Sequence, residues 1–179
     1  MGAKPIYIPH YTYDDYRKWE GRWELIQGVP VAMSPLPTPQ HQTVGGNLHM
    51  IFKQALKDRC GHCKAFPPID WKISEDTVVQ PDFLVVCNKI SKAYLDFPPV
   101  LVAEILSPST AIKDRNAKFS IYEAQKVKYY LILNPISKKL EVYMLVNDTY
   151  QLVVVTPESW NFEIHDGCSI TVSFSELWD

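Results

Sequence analysis

Apolar and polar positions along the first third of the chain predict a short helix, a hairpin and a long helix. Residues 12–19 predict a helix capped at Thr12, and residues 23–33 predict a hairpin that turns at residues 27–28. The long helix is expected over residues 40–57, because apolar side chains recur there at helical spacing. They are Val44, Leu48, Ile51, Phe52, Ala55 and Leu56.

Five short apolar runs in the rest of the chain predict a sheet: residues 78–87, 100–106, 129–133, 140–146 and 150–155. A helix with a Ser-Pro-Ser-Thr start is expected over residues 107–125, so strand, helix and strand follow one another and imply a crossover. The last two runs form a hairpin through residues 147–148, and residues 166–167 mark another turn. We therefore expect a mixed central β-sheet flanked by helices, of the α/β (α+β) class.

One charged residue interrupts this pattern. Glu104 lies inside an apolar strand, where an unpaired carboxylate would cost on the order of several kcal/mol. Asp82 follows Pro81 and opens the apolar run 83–86, so two adjacent strands could bring both carboxylates to one place. A divalent cation would neutralise the pair. The pattern therefore predicts a metal-dependent phosphodiesterase site.

The same residues resemble the PD-(D/E)-x-K nuclease superfamily, and more closely the Uma-two family of restriction endonucleases. The resemblance extends from about Tyr11 to about Tyr150 and implies one nuclease-like domain over residues 1–179, with a restriction-endonuclease-like fold. The matching residues are Trp23-Glu24-Leu25-Ile26-Gln27-Gly28, Ser34-Pro35, His41, Pro81-Asp82, Glu104-Ile105-Leu106-Ser107-Pro108-Ser109-Thr110, Asp114, Lys118 and Tyr122.

The resemblance also implies an activity, which is hydrolysis of DNA with Mg²⁺ or Mn²⁺ as cofactor. Asp82, Glu104 and the carbonyl group of Ile105 would hold the metal. The superfamily places its lysine two residues after the second acid, on the same face of the strand, but this chain has Leu106 there. In the Uma-two family the lysine lies on the following helix, where Lys118 matches it and would orient water or offset developing charge.

Each of these three side chains also has a structural interpretation. Asp82 could be a solvated residue at a strand entry, and Glu104 could belong to a buried ion pair. Lys118 could simply pair with Asp114, four residues earlier on the same helix.

Glu24 and His41 are further candidates that depend mostly on the resemblance. Glu24 would join the metal sphere or orient a water molecule, or it is a surface carboxylate of the hairpin. His41 would reach the site or the scissile phosphate, or it is an exposed histidine at the start of the long helix.

Two other functions remain open from the sequence. Leu106 in place of the lysine favours an inactive nuclease-fold module that binds nucleic acid or acts as a scaffold, as do departures from the family pattern over residues 126–135. A small-molecule hydrolase with the same acid pair is the third possibility, but the chain has no Gly-rich phosphate loop or nucleophile motif.

Charge is distributed unevenly although the net charge is only -2. Seven basic residues lie between Lys113 and Lys139 against Asp114 and Glu123, whereas residues 140–179 contain seven acids and no Lys or Arg. Such a segment predicts either a basic face for a polyanion such as DNA or a solvated helix surface.

Four cysteines complete the candidate chemistry. Cys60 and Cys63 have the Cys-x-x-Cys spacing of zinc or redox sites, but Cys87 and Cys168 stand alone in the sequence, so we expect reduced thiols. The sequence identifies no partner for His49, His62 or His165. We also expect a cytoplasmic protein without a leader or a membrane span, and a homodimer would suit cleavage of two antiparallel strands.

Overall fold

The computed structural model describes residues 9–33, 37–107, 114–165 and 167–179. The described helices and strands follow the order that the sequence pattern predicts, with several additional strands. In order, the described elements are α1 (Tyr13–Tyr16), β1 (Trp23–Ile26), β2 (Val29–Ala32), α2 (Pro39–Arg59), β3 (Lys64–Phe66), β4 (Trp71–Ser74), β5 (Thr77–Val79), β6 (Phe83–Val86), β7 (Leu101–Ile105), a π-helical turn (Asp114–Lys118), α3 (Phe119–Ala124), β8 (Tyr129–Asn134), β9 (Lys139–Val146), β10 (Thr149–Val155), β11 (Ser159–His165) and β12 (Cys168–Ser173).

A six-stranded mixed sheet lies at the centre, with the strand order β10-β9-β8-β7-β6-β3. The β7 and β8 strands are parallel, and the other neighbours are antiparallel. Because the polypeptide leaves β7 and returns parallel to it as β8, the predicted crossover is confirmed. A second sheet has the order β2-β1-β5-β4, and β11 pairs with β12 in a separate hairpin.

The two faces of the central sheet build two apolar cores. Alternate residues of β7 separate accordingly, so Ala103 and Ile105 pack with α2, whereas Val102 packs with Tyr122 of α3. Glu104 shares the face of Val102 and is therefore directed into the core beneath α3.

Both predicted hairpins are confirmed. Gln27 and Gly28 have φ angles of 50° and 76°, and Asn147 and Asp148 have φ angles of 48° and 66°. Consecutive positive φ angles characterise the tight turns that match the twist of two antiparallel strands.

The predicted helices are observed with different lengths. The long helix is confirmed as α2, whereas α1 ends earlier than predicted, at Tyr16. Its expected cap is present, since the Asp15 carboxylate accepts hydrogen bonds from the N–H and hydroxyl groups of Thr12, both at 3.0 Å. The predicted start of the third helix at residues 107–113 lies mostly outside the described residues, as does Ser34-Pro35.

The single strand predicted over residues 78–87 is wrong. The chain instead forms β5 and β6, which belong to different sheets and are separated by residues 80–82. Pro81 has no N–H group and therefore cannot donate to a sheet ladder, so the strand breaks there. The break is important for the site, because it lets Gln80 and Asp82 leave the regular strand geometry.

The sequence pattern missed β3, β4, β11 and β12. It predicted only a turn at residues 166–167, where β11 meets β12. Gly167 has a φ of 78°, as a turn requires, and Asp166 lies outside the described residues. Among the described residues, no helix is both long and apolar enough to cross a membrane.

The expectation of reduced thiols is also wrong. The structure pairs the sulfur atoms of Cys60 and Cys168, and those of Cys63 and Cys87. The reason is tertiary, because β3 pairs with β6 and the β11–β12 hairpin packs against α2. Positions separated by 24 and 108 residues in the sequence thus become neighbours.

Candidate active site

Glu104 is the centre of a buried polar cluster on the α3 face of the sheet. Its strand, β7, has β6 and β8 as neighbours, so both edges of the strand are occupied by backbone hydrogen bonds. Only 2% of the Glu104 surface is exposed. A carboxylate in such a place must be compensated by other side chains.

Lys118 supplies that compensation. Its Nζ atom lies 2.8 Å from Oε1 of Glu104 and 2.8 Å from Oε1 of Glu24, and the lysine is 1% exposed. The same ammonium group also donates to the carbonyl oxygen of Gln80, at 3.4 Å. Lys118 is thus directed inward from the π-helical turn; the alternative pairing with Asp114 involves a side chain outside the described part of the chain.

Glu24 is fully buried, so its interpretation as a surface carboxylate is wrong. The backbone N–H of Gln80 donates to Oε1 of Glu24 at 2.9 Å, and Lys118 binds the same oxygen. The hairpin strand β1 lies in the interior of the second sheet, with β5 on one edge and β2 on the other.

Tyr122 donates from its hydroxyl group to Oε1 of Glu104 at 2.6 Å. Burial, followed by the negative charges of Glu104 and Glu24, raises the pKa of Tyr122 well above its ordinary value. The phenol therefore remains protonated and stays a donor. Its ring stacks on Trp71 with a centroid distance of 5.8 Å, which fixes the direction of the hydroxyl group.

Asp82 lies at the entrance of the cluster, with 14% of its side chain exposed, so it is mostly desolvated rather than a solvated strand entry. Its Oδ2 atom accepts a hydrogen bond from the N–H of Ile105 at 2.9 Å and lies 3.2 Å from Nε2 of His41. The β6–β7 register ends with Phe83 opposite Ala103, so Asp82 is one step beyond and opposite Glu104.

The electrostatics of Asp82 favour its ionised form. Burial acts to raise the pKa of this carboxyl group, but the hydrogen bond and charge of His41, the charge of Lys118 and the Ile105 N–H together hold the pKa below its usual value. The ionised carboxylate thus stabilises the folded state.

This depressed pKa predicts a pH dependence of stability. The contribution of Asp82 is present above the unfolded pKa, near 3.8, and is lost as the pH falls from there through the lower folded pKa. Asp82→Asn should therefore reduce the free energy of unfolding at neutral pH, and the gap to wild type should narrow below about pH 4. Urea unfolding of both proteins across this pH range, with a chelator present, measures the difference in their free energies of unfolding.

Asp14→Asn is the matched control for this measurement, because Asp14 has a side chain that is 73% exposed on α1. A gap between wild type and Asp82→Asn that stays constant down to pH 2 would contradict the assigned electrostatics.

An open cleft of about 570 Å³ adjoins Asp82. The start of α2 forms one wall, where the Thr38 hydroxyl group accepts a hydrogen bond from the N–H of His41 at 3.2 Å. Gly46 would have nothing within 4 Å of an added Cβ, so this part of the wall is open. The lining residues are Arg22, Pro37, His41, Gln42, Gly45, Gly46, His49, Pro67, Pro68, Gln80, Asp82 and Ile105.

Sequence reasoning missed Arg22 and Gln80. The guanidinium group of Arg22 donates to Oε1 of Gln80 at 3.4 Å, and both residues line the cleft. For Gln80, the proline that follows was an available signal, because it interrupts the strand. For Arg22, the sequence contained no comparable signal.

Four lysines of the predicted basic segment are paired or buried, whereas Lys113 and the side chain of Arg115 lie outside the described part of the chain. Lys126, Lys128 and Lys139 pair with Asp148, Glu163 and Glu141, and Lys118 is buried. Acidic side chains of residues 140–179 therefore lie beside lysines of residues 113–139. A polyanion would instead find positive charge at Arg22 and at the N-terminal end of α2.

The donor set of the cluster suits a hard divalent cation. Its three carboxylates formally exceed its one ammonium group by two negative charges, and all of its side-chain ligands are oxygen atoms. Within the described residues, three ligand atoms of His, Cys, Asp or Glu lie within 4.8 Å of one another only around the cysteines, and not in the cluster of Glu104. An ion such as Mg²⁺ would thus use Asp82 and Glu104 together with backbone and water oxygens, as Mg²⁺ sites commonly do.

Comparison with known proteins relates the chain to nucleases. A protein-family model, Uma2, described as "Putative restriction endonuclease", matches residues 13–174. Two uncharacterised proteins of Synechocystis sp. are similar: slr1290 is 28% identical over 94% of this chain and 90% of that protein, and sll1609 is 26% identical over 73% and 76%.

The crystal structure of a putative nuclease belonging to DUF820, from Anabaena variabilis, is similar to this chain with a TM-score of 0.74. It is 18% identical and covers 97% of this chain and 98% of that one. At this identity the likeness concerns the fold, and it confirms the restriction-endonuclease-like class expected from the sequence.

Proposed function

The chain belongs to the Uma2 family of restriction-endonuclease-like proteins, and from its buried acid and lysine cluster we propose that it is a metal-dependent endonuclease that hydrolyses DNA phosphodiester bonds. The observation that carries this proposal is the contact of Lys118 with Glu104, beside a cleft that Asp82 lines. A lysine next to an acid pair is the constellation that the sequence resemblance implies.

Lys118 takes the role of the lysine that the superfamily has at the position of Leu106. Leu106 belongs to the apolar core beneath α3, and the ammonium group reaches Glu104 from the π-helical turn instead. Helical segments with this irregular geometry often occur at functional sites. The site thus has an acid–lysine pair although the strand itself does not contain the lysine.

Each polar residue has a proposed role that follows from its position. Asp82, Glu104 and the carbonyl group of Ile105 would hold Mg²⁺ or Mn²⁺, and the ion would polarise the phosphate and acidify the attacking water. Lys118 would orient that water or offset charge in the transition state. Glu24 contacts the same ammonium group as Glu104 and holds Lys118 in place.

His41 and Arg22 lie on the substrate side of the cluster. His41 is 3.2 Å from Asp82 and limits the rotation of that carboxylate, and its ring is next to the cleft. Arg22 offers a planar donor group that suits phosphate oxygens. The start of α2 adds the positive end of a helix dipole to the same wall.

Supercoiled plasmid tests the proposed activity. We expect the wild type to convert it to the nicked form with Mg²⁺ or Mn²⁺. We expect no conversion with a chelator, because the chelator removes the divalent cation that would polarise the phosphate. Adding excess Mg²⁺ to the chelated sample should restore cleavage. A plasmid electrophoresis assay over time gives the rates.

The same samples distinguish the alternative of an inactive nucleic-acid-binding module. That alternative predicts salt-sensitive DNA binding without divalent cations and no cleavage in their presence. Cleavage that is unaffected by the chelator would contradict metal dependence.

A further inference from the structure

The β8–β9 turn, residues 135–138, carries the most exposed large apolar side chain of the residues that the structure describes. Ile136 is 76% exposed, whereas the other exposed large apolar side chains are 44% to 49% exposed. An isoleucine side chain contributes hydrophobic free energy only where it is removed from water. The turn therefore has an apolar tip that the fold itself leaves uncovered.

The β8–β9 turn is held in one conformation by hydrogen bonds. The side-chain oxygen of Asn134 accepts from the N–H groups of Ile136 and Ser137, at 3.1 Å and 3.2 Å. Pro135 is buried, and its carbonyl oxygen accepts a hydrogen bond from the side-chain amide of Gln40 at 3.0 Å. The β-branched side chain of isoleucine is itself stiff. Covering Ile136 with a ligand therefore costs little conformational entropy.

The turn lies at the same edge of the central sheet as the proposed active site. Strands β7 and β8 are parallel, and Ile105 lies opposite Leu133. Ile136 follows three residues later, so at about 3.3 Å per residue it is at most about 10 Å beyond that pair along the strand. Gln40, which contacts the turn, precedes His41, which lines the cleft. The grooves of DNA are about 6 Å and 12 Å wide, so a duplex bound at the cleft also covers the turn.

Positive charge lies beside the apolar tip. Lys138 is exposed two residues after Ile136, and residues 135–138 contain no acid. The N-terminal end of α2, which Gln40 connects to the turn, adds the positive end of a helix dipole. DNA presents phosphates beside the apolar faces of its bases, so it complements an apolar tip with a lysine next to it. A stable protein interface covers about 800 Å² on each partner, far more than one isoleucine supplies.

We propose that Ile136 is an apolar wedge that contacts the bases of a partly unstacked step of duplex DNA, and that Lys138 binds a neighbouring phosphate. The proposal rests on the proposed nuclease function and specifies its substrate as a duplex that is deformed on binding. Proteins that kink DNA insert apolar side chains, isoleucine among them, between base steps. Pyrimidine–purine steps such as TA and CA unstack most easily, so the wedge favours DNA that contains them.

Duplexes that contain 2-aminopurine, an adenine analogue whose fluorescence rises on unstacking, test this proposal independently of cleavage. With a chelator, and separately with Ca²⁺, we expect binding of the wild-type protein to raise the fluorescence. Ile136→Ser should abolish the rise and lower the affinity about tenfold, the scale of one apolar side chain left uncovered. Lys138→Gln should reduce the slope of log K against log salt concentration by about 0.9, which corresponds to one phosphate contact.

Leu152→Ser is the matched control, because Leu152 is 49% exposed on β10, the edge strand of the central sheet. This variant should bind DNA as the wild type does and keep the rise in fluorescence. Ile136→Leu keeps an apolar tip and should also retain both. Since Ile136 is exposed, its substitutions should leave the thermal unfolding midpoint unchanged, which circular dichroism checks.

The outcomes separate the wedge from the nuclease. Equal affinity and an equal rise in fluorescence for wild type and Ile136→Ser would overturn the wedge, whether or not plasmid is nicked. A rise that depends on Ile136, in a protein that nicks no plasmid, would support the wedge and contradict the nuclease. A wild type that binds no duplex in either condition would overturn both. Binding to anionic lipid vesicles that depends on Ile136, without the fluorescence change on DNA, would mean a membrane contact instead.

Discussion

Glu104→Gln should reduce the Mg²⁺-dependent nicking rate by about 10³-fold or more, the scale of losing a directly acting charged group. The substitution keeps the shape of the side chain and its place in β7. It removes the charge that would bind the cation, and it leaves Lys118 with Glu24 as its charged neighbour. The loss should appear in kcat rather than in DNA affinity, because Glu104 lies beneath the cleft and does not line it.

Glu141→Gln is the matched control, because Glu141 is a buried glutamate on the same face of the sheet. It pairs with Lys139 at 2.7 Å, outside the acid and lysine cluster. Plasmid nicking by equal amounts of the two folded variants, checked by circular dichroism, separates loss of chemistry from loss of fold. Equal rates for wild type and Glu104→Gln would remove Glu104 from the proposed catalytic centre.

The sequence was sufficient to predict that Glu104 is buried and needs a compensating partner, because the apolar residues around it in the chain indicate a buried strand. A strand of this length and apolarity is buried wherever it lies, so its single carboxylate needs a partner in any fold. Its partner, Lys118, was indicated only by the family resemblance. Lys118 reaches Glu104 from a π-helical turn, and regular helical spacing does not predict such a turn.

Glu24 shows why burial on a hairpin could not be predicted. The β1 strand has Glu24 and Leu25 buried in succession, so it does not follow the alternation of a half-exposed hairpin. Both residues are buried because distant parts of the chain cover them: Leu25 packs with Tyr16 and Val78, and Glu24 contacts Gln80 and Lys118. The alternation of apolar and polar residues shows which side chains share a face of a strand, but it does not show what will pack against that face.

The break between β5 and β6 could have been predicted. Pro81 stands inside the apolar run over residues 78–87, and proline is a poor candidate for the interior of a central strand. A break at this proline would have singled out Gln80, whose backbone N–H and C=O groups contact Glu24 and Lys118. The cysteine pairs gave no local signal, because they depend on how distant elements pack.

Lys118→Met should lower the free energy of unfolding by about 3–5 kcal/mol, the typical cost of removing one partner of a buried ion pair. Methionine fills a similar volume, so the loss comes from electrostatics rather than from a cavity. Two buried carboxylates, Glu24 and Glu104, would lose the ammonium group that lies 2.8 Å from each. Urea unfolding of the metal-free protein measures the change.

The control for this effect is Lys128→Met, which removes a partly exposed lysine that lies 3.0 Å from Glu163. Exposed pairs contribute at most about 1 kcal/mol, so this variant should unfold near the wild-type midpoint. Combining Lys118→Met with Glu104→Gln should recover part of the lost stability, because only one unpaired carboxylate then remains. If the two substitutions are strictly additive, Lys118 does not stabilise Glu104 through its charge, and the proposed acid and lysine pair loses its electrostatic basis.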